Sequence, residues 1–177
     1  MDVLQLLQGC TYDFAGGQAT FNTLSRQVNT ESLSETGNYT VIASGSNTLS
    51  ENQAMLAELV SNNGNITDSI LLLSGDEILA NTFKTKLLQL GASAVSQFVV
   101  DASAGNNPGL SQAINQAVKI LFLANSTNTF NQFLNSDNGE ILRKRVHQSG
   151  MITAFIGDDS RFGGKTVVDN YYELYAS

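Results

Sequence analysis

Five short runs rich in apolar and β-forming residues, each followed by a segment long enough for a helix, constrain this chain more than anything else in it. The runs are Tyr39-Thr40-Val41-Ile42-Ala43, Val95 to Val100, Met151 to Ile156, and the continuously apolar Ile70-Leu71-Leu72-Leu73 and Ile120-Leu121-Phe122-Leu123. They are too short for helices, and their continuity predicts strands buried on both faces rather than strands with one wet side. The intervening segments show helical spacing. Met55, Leu56, Leu59 and Val60 share one face. Ile78, Leu79, Phe83, Leu87, Leu88 and Leu90 line the next helix, which Gly91 stops. Leu110 to Val118 predicts a short helix. Phe130, Phe133 and Leu134 start another, whose apolar face continues through Ile141, Leu142 and Val146 after an expected break at Asn138-Gly139. Thr166 to Tyr175 predicts a last helix. Strands alternating with helices imply an α/β fold, with a mostly parallel central sheet between two helical layers.

The domain so predicted covers residues 39–177. Residues 1–38 are less regular, with Phe14, Gly16, Gly17, Phe21 and Val28 among polar residues and a turn signal at Thr36-Gly37-Asn38. They read as an adjunct of the same domain, holding one helix or a short strand pair.

Composition then excludes several classes of partner. The net charge is -7, so nucleic acid and anionic membrane surfaces would be repelled. The one basic cluster, Arg143-Lys144-Arg145, falls late in a helix, where cations complement the helix dipole. No apolar run is long enough to span a bilayer. Only 14% of residues are charged, with Asn, Ser, Thr and Gln making up the polar surface. That balance leans towards a periplasmic or secreted protein. The single cysteine, Cys10, permits no intrachain disulfide and no cysteine-based metal site. Leu6-Leu7-Gln8-Gly9-Cys10 is similar to a lipobox but lacks a preceding cation and an adequate apolar stretch. The sequons at Asn38, Asn65 and Asn125 occur at about the rate this composition yields by chance. No cofactor fingerprint, phosphate loop or metal-ligand cluster is present, so neither cofactor nor metal is expected.

In a parallel sheet, ligands bind beyond the carboxyl ends of the strands. The exit loop of the fifth strand, Gly157-Asp158-Asp159-Ser160-Arg161-Phe162-Gly163-Gly164, stands out there. Two acids, a hydroxyl and a guanidinium lie between glycines that permit a tight turn and close backbone approach. Composition alone also fits a plain turn in which an aspartate caps the next helix and Arg161 pairs with an acid. Asp101 would line the crevice, and Asp76 and Glu77 would cap their helix. His147, the only histidine, falls at the opposite end of the sheet and reads as structural.

The order of segments from Tyr39 to Gly164 resembles the cyanophycinase-like serine peptidases, of the class I glutamine amidotransferase-like fold. The resemblance rests on Glu51-Asn52 after a glycine-containing loop, Leu90-Gly91-Ala92, Ala113-Ile114 leading into Lys119 to Leu123, Asn131-Gln132-Phe133-Leu134, and Gly150-Met151-Ile152. It implies a peptide hydrolase with a nucleophile elbow, G-T-S-A-G in the family, after the fifth strand. Ser160 is then the candidate nucleophile and Glu173 a candidate acid partner. Gly157, Asp158, Asp159, Arg161, Asn125 and Ser126 are candidate substrate-binding residues. Three departures accompany these expectations. The elbow reads Gly157-Asp158-Asp159-Ser160-Arg161, and counting from Gly150 puts the nucleophile's place near Gly157. The family's Gly-Gly-x-Gln oxyanion segment is Ala124-Asn125-Ser126-Thr127. No histidine follows Ser160 to serve as base. Two readings stay open. One is a homologue without activity that keeps the fold to bind a peptide or cationic ligand. The other is a chain whose remaining C-terminal sheet and base lie elsewhere. An incomplete sheet would leave an open edge, so self-association is expected. A generic flavodoxin-like anion binder is the weaker third reading.

Overall fold

The structure is a computed structural model that describes residues 39–61 and 68–163, together with the backbone of four short strands before them. Those strands form two antiparallel pairs. β1 (Thr11–Phe14) pairs with β2 (Gly17–Thr20), and β3 (Ser32–Leu33) pairs with β4 (Gly37–Asn38). Of the two expectations for residues 1–38, one helix or a short strand pair, strand pairs are what the described residues hold. The helix expected at 166–175 lies outside the described residues, as does Glu173.

The five apolar runs form one parallel sheet: β5 (Thr40–Ser44), β6 (Ile70–Ser74), β7 (Val95–Val99), β8 (Lys119–Leu123) and β9 (Ile152–Ile156). Their spatial order is β5-β9-β8-β6-β7. α1 (Leu49–Ser61) and α2 (Glu77–Gln89) follow β5 and β6, and α3 (Pro108–Gln116) follows β7. α4 (Thr127–Leu134) and α5 (Asp137–Val146) connect β8 to β9. Crossovers moving towards β7 carry α1 and α2, whose side chains share a core with Ile42, Leu72, Leu121 and Ala154. Crossovers moving back carry α3, α4 and α5, which share a second core with Leu71, Leu73, Ile120, Phe122 and Phe155. Reversing direction reverses the face, which is what crossovers of one hand require. β6, β8 and β9 are buried at every position, as their apolar continuity predicts. Aromatic stacking reinforces the second core: Phe122 lies parallel to Phe155 with centroids 4.6 Å apart.

Helix starts follow capping chemistry. Asp76 Oδ1 accepts from Leu79 N–H at 2.9 Å, as expected for α2. Asn107 accepts from Gly109 and Leu110 ahead of α3, whose first residue is Pro108. Two boundaries differ from expectation: α3 runs Pro108–Gln116 rather than Leu110 to Val118, and the second lies between α4 and α5. The break between α4 and α5 falls at Asn135-Ser136, and Asn138-Gly139 lie inside the first turn of α5. Ser136 caps α5 through Gly139 N–H, which frees Asn138 for a tertiary role. Its buried Nδ2 donates to Ala104 O and Asn107 O, both at 2.8 Å. Gly139 is needed there because a Cβ would lie 2.2 Å from Phe133 O. Among the described residues no helix is long and apolar enough to cross a membrane.

Lys119, the first residue of β8, is 1% exposed. Its Nζ donates to Val60 O at 2.8 Å. α1 has no basic residue in its own last turn, so a sheet residue supplies the cation for that carbonyl end. Burial holds the Lys119 pKa below the usual lysine range, opposed by Asp68.

Candidate functional site

The switch point of the sheet lies between the neighbours β6 and β8, because the crossover from β6 leads one way to β7 and the crossover from β8 leads the other way to β9. A parallel α/β sheet opens its ligand crevice at such a point, beyond the carboxyl ends. Here that opening is closed by main chain. Gly75 N–H donates to Leu123 O at 3.3 Å, and a Cβ on Gly75 would lie 2.4 Å from Ala124 O. The chemistry-bearing loops sit one strand over, at the ends of β8 and β9.

Those two strands end in the same way. Leu123 is the register partner of Ile156, and the residue after each, Ala124 and Gly157, has a left-handed backbone, with φ of 55° and 62°. For glycine this is free, whereas for alanine it costs about 1–2 kcal/mol. The turn at Ala124 aims Asn125 at the β9 loop. Asn125 N–H donates to Asp159 Oδ1 at 2.9 Å, and Asn125 Nδ2 donates to Asp159 Oδ2 at 2.6 Å. The same Nδ2 reaches Leu73 O at 3.1 Å. Asn125 is therefore a peg joining β6, β8 and the β9 loop.

Asp159 is fully buried. Burial pushes its pKa up from 3.8 to about 7, against the two Asn125 hydrogen bonds and the Arg161 charge, which favour the carboxylate. Asp159 and Asn125, both candidate substrate-binding residues, are bonded to each other below the surface. Each is buried, and each commits polar atoms to the other; Asn125 Oδ1 is buried with no hydrogen-bond partner among the described residues.

The rest of the loop is a 3-10 segment, Gly157–Gly163. Asp158 is exposed, Ser160 and Arg161 are half-buried, and Phe162 is buried against Phe130 with ring centroids 4.4 Å apart. The Arg161 guanidinium lies 5.1 Å from the Phe162 ring centroid. Gly163 packs on the Phe155 ring, 3.0 Å from a virtual Cβ. Ser160 thus sits inside the turn, three positions past the elbow residue. Ser126 caps α4, its Oγ accepting from Thr129 N–H at 3.3 Å, so a local helix start occupies this candidate binding hydroxyl.

The position that follows β9 directly, Gly157, carries no side chain, and its place is taken from the neighbouring strand. A Cβ on Gly157 would lie 1.5 Å from Asn47 Oδ1. Asn47 comes from the β5 exit loop, which is ordered by its own polar contacts. Buried Asn52 Nδ2 donates to Ser46 O and Thr48 O, both at 2.7 Å. Ser46 Oγ donates to Glu51, which holds the Glu51 carboxyl below its usual range. No sequence pattern pointed to Asn47; only the register β5-β9, Ser44 against Ile156, brings it to Gly157.

Exposed acids at this end include Glu51, Asp76, Glu77, Asp101 and Asp158. Asp101 Oδ1 is tied to its own loop, accepting from Ser103 N–H at 2.8 Å, Ser103 Oγ at 2.7 Å and Ala104 N–H at 3.1 Å. The Ser103 bonds hold its pKa below the usual range. His147 is at the opposite end, as expected. It caps α5, with Nδ1 2.8 Å from Arg143 O and its ring edge-on to Tyr39. Among the described residues no group of three or more His, Cys, Asp or Glu could hold a metal ion.

No protein-family model matches the chain, and no curated protein matches it in sequence. Solved structures do match in fold. A peptidase from an acI-B1 actinobacterium superposes with a TM-score of 0.50 at 14% identity, over 69% of this chain and 55% of that one. The chain thus spans little more than half of that peptidase's length. A putative peptidase E protein from Listeria monocytogenes superposes with a TM-score of 0.56 at 9% identity, over 76% of this chain and 73% of that one. The chain therefore has the α/β fold of these peptidases.

Proposed function

We propose that this chain is a peptidase-fold homologue without the serine-hydrolase centre, and that it binds a peptide or cationic ligand at the strand-exit face. Gly157 carries the proposal. A nucleophile elbow needs a sharp left-handed turn directly after its strand, with the nucleophile's side chain at that residue. The turn is here, but the residue is glycine and the Asn47 amide fills the space a side chain would use. The β8 loop adds support. The Asn125 N–H, in the segment where the resembled peptidases hold their oxyanion, is already bonded to the chain's own Asp159. Within the fold, the segment order from Tyr39 to Gly164 favours descent from cyanophycinase-like serine peptidases.

The exposed acids of the strand-exit loops, on a chain of net charge -7, favour a cationic or arginine-bearing peptide. The test is paired. Hydrolysis of acidic dipeptides and of a β-aspartyl-arginine peptide is measured for the wild type and Ser160→Ala, and melting temperature is followed with an arginine-rich peptide. The expected result is no Ser160-dependent hydrolysis and a salt-sensitive rise in melting temperature. Hydrolysis abolished by Ser160→Ala would restore Ser160 as nucleophile and overturn the loss of the centre. An unchanged melting temperature would remove the ligand.

A further inference from the structure

Among the described residues β7 is an edge strand of the sheet. Along a parallel strand the main-chain groups alternate between its two sides. Ala94 O accepts from Ile70 N–H, and Val100 N–H donates to Ser74 O. Ser96 and Phe98 therefore also turn their main-chain groups to β6, while Val95, Gln97 and Val99 turn theirs outward. No hydrogen bond from the described residues reaches those outward groups. Edge strands are commonly blocked by a lysine, a proline, a bulge or a covering loop. Val95-Ser96-Gln97-Phe98-Val99 has no charge and no proline. On the α3 side, exposed Ser96 and half-buried Phe98 border a cavity of about 220 Å³, which Gln112, Ala113 and Gln116 also line.

We propose that β7 pairs with β7 of a second copy, antiparallel and centred on Gln97, joining the two five-stranded sheets into one. Three observations select a second copy as the occupant. The first is register. Gln97 opposes itself and Val95 opposes Val99, so the outward-facing residues meet as hydrogen-bonded pairs, with about six main-chain bonds in all. The second is shape. Ser96 then opposes Phe98 of the second copy as a non-hydrogen-bonded pair, whose Cα atoms lie about 4.5 Å apart. Each phenyl ring covers the other copy's small serine beside the cavity, and large against small is repeated by the two-fold axis. The third is charge. β7 runs into exposed Asp101, and the last turn of α2 before it carries Lys86. An antiparallel seam sets each acidic end beside the other copy's basic end, whereas a parallel one would set like against like. Gln97 Oε1, at the centre of the seam, is buried with no hydrogen-bond partner among the described residues.

Sedimentation equilibrium and hydrogen exchange on the full chain test the seam. A dimer is expected, with the amides of Val95, Gln97 and Val99 losing protection on dilution while those of Ser96 and Phe98 stay protected throughout. Gln97→Pro removes an outward N–H without touching the β6 ladder, and edge strands tolerate such a proline. Ser96→Lys places two like charges and excess bulk under the opposing rings. Both variants should be monomeric at concentrations where the wild type is dimeric, with unchanged circular dichroism. If Gln97→Pro fails to fold, the surface change Ser96→Lys decides alone. A wild type that is monomeric at every concentration, a dimer that survives Ser96→Lys, or protection appearing only with added peptide would each overturn the proposal.

Discussion

Asp159 should make this protein less stable as pH rises, the reverse of what a paired surface carboxylate does. An aspartate in the unfolded chain loses its proton near 3.8, whereas the folded site holds it to about 7. Between those values the unfolded chain binds fewer protons than the folded one, so stability falls as pH rises and levels off above the folded value. The interval is about three pH units at 1.36 kcal/mol each, which bounds the loss at about 4 kcal/mol. The clean comparison is wild type against Asp159→Ala. At acid pH the variant loses the acceptor for Asn125 N–H, and leaving that buried donor unsatisfied costs about 1–3 kcal/mol. As pH rises the wild type takes on the burden of a buried charge and the variant does not. The stability gap should therefore shrink and then change sign near neutrality. Urea unfolding midpoints of both proteins from about pH 4 to 8 measure it directly. A gap that widens with pH would refute the reasoning, because it would mean that the two Asn125 bonds and the Arg161 charge outweigh desolvation.

Two further substitutions test the neighbouring geometry. Ala124→Gly relieves a left-handed alanine and should stabilise by up to about 1 kcal/mol, raising the urea midpoint at unchanged slope. Lys119→Ala removes the buried donor to Val60 O and should cost about 1–3 kcal/mol by the same assay, with exchange protection lost first at the end of α1.

The fold was legible because its signal is redundant. Ile70 to Leu73 and Ile120 to Leu123 can be buried on both faces only as inner strands, and they are. Helix caps such as Asp76 were equally readable, since capping depends on residues a turn apart. The α4–α5 boundary was not, because glycine at Gly139 suggests a break, while its true reason is close contact with Phe133 O. The sequence marked the β9 exit loop but not which of its side chains turn inward. The β9 exit loop does lie at the ligand-binding end of the sheet. That Asp159 turns inward and Asp158 outward depends on which side of one 3-10 turn each occupies, and local pattern does not encode that. Asn47 was invisible for the same reason that Asn125 was only half understood. Asn125 meets Asp159, 34 positions later, and Asn47 meets Gly157 from another strand, so their roles exist only once β5, β8 and β9 stand side by side.

That adjacency also governs the order in which the sheet can assemble. β5 is the first strand of the sheet in the chain, yet its sheet neighbour among the described residues is β9, the last. Thr40 pairs with Ile152, 112 positions on, whereas Ile70 pairs with Val95 only 25 positions on. The entropic difference between closing the two loops is only about 1 kcal/mol, but the effect on sequence of events is large, because distant pairings set the pace of folding. β6, β7 and β8 can associate while β9 is still unmade. β5 has nowhere to go until β9 arrives, and during synthesis it must wait with its apolar residues unsheltered. The slot that completes the sheet is therefore also the point at which a slow or interrupted chain is most exposed to aggregation.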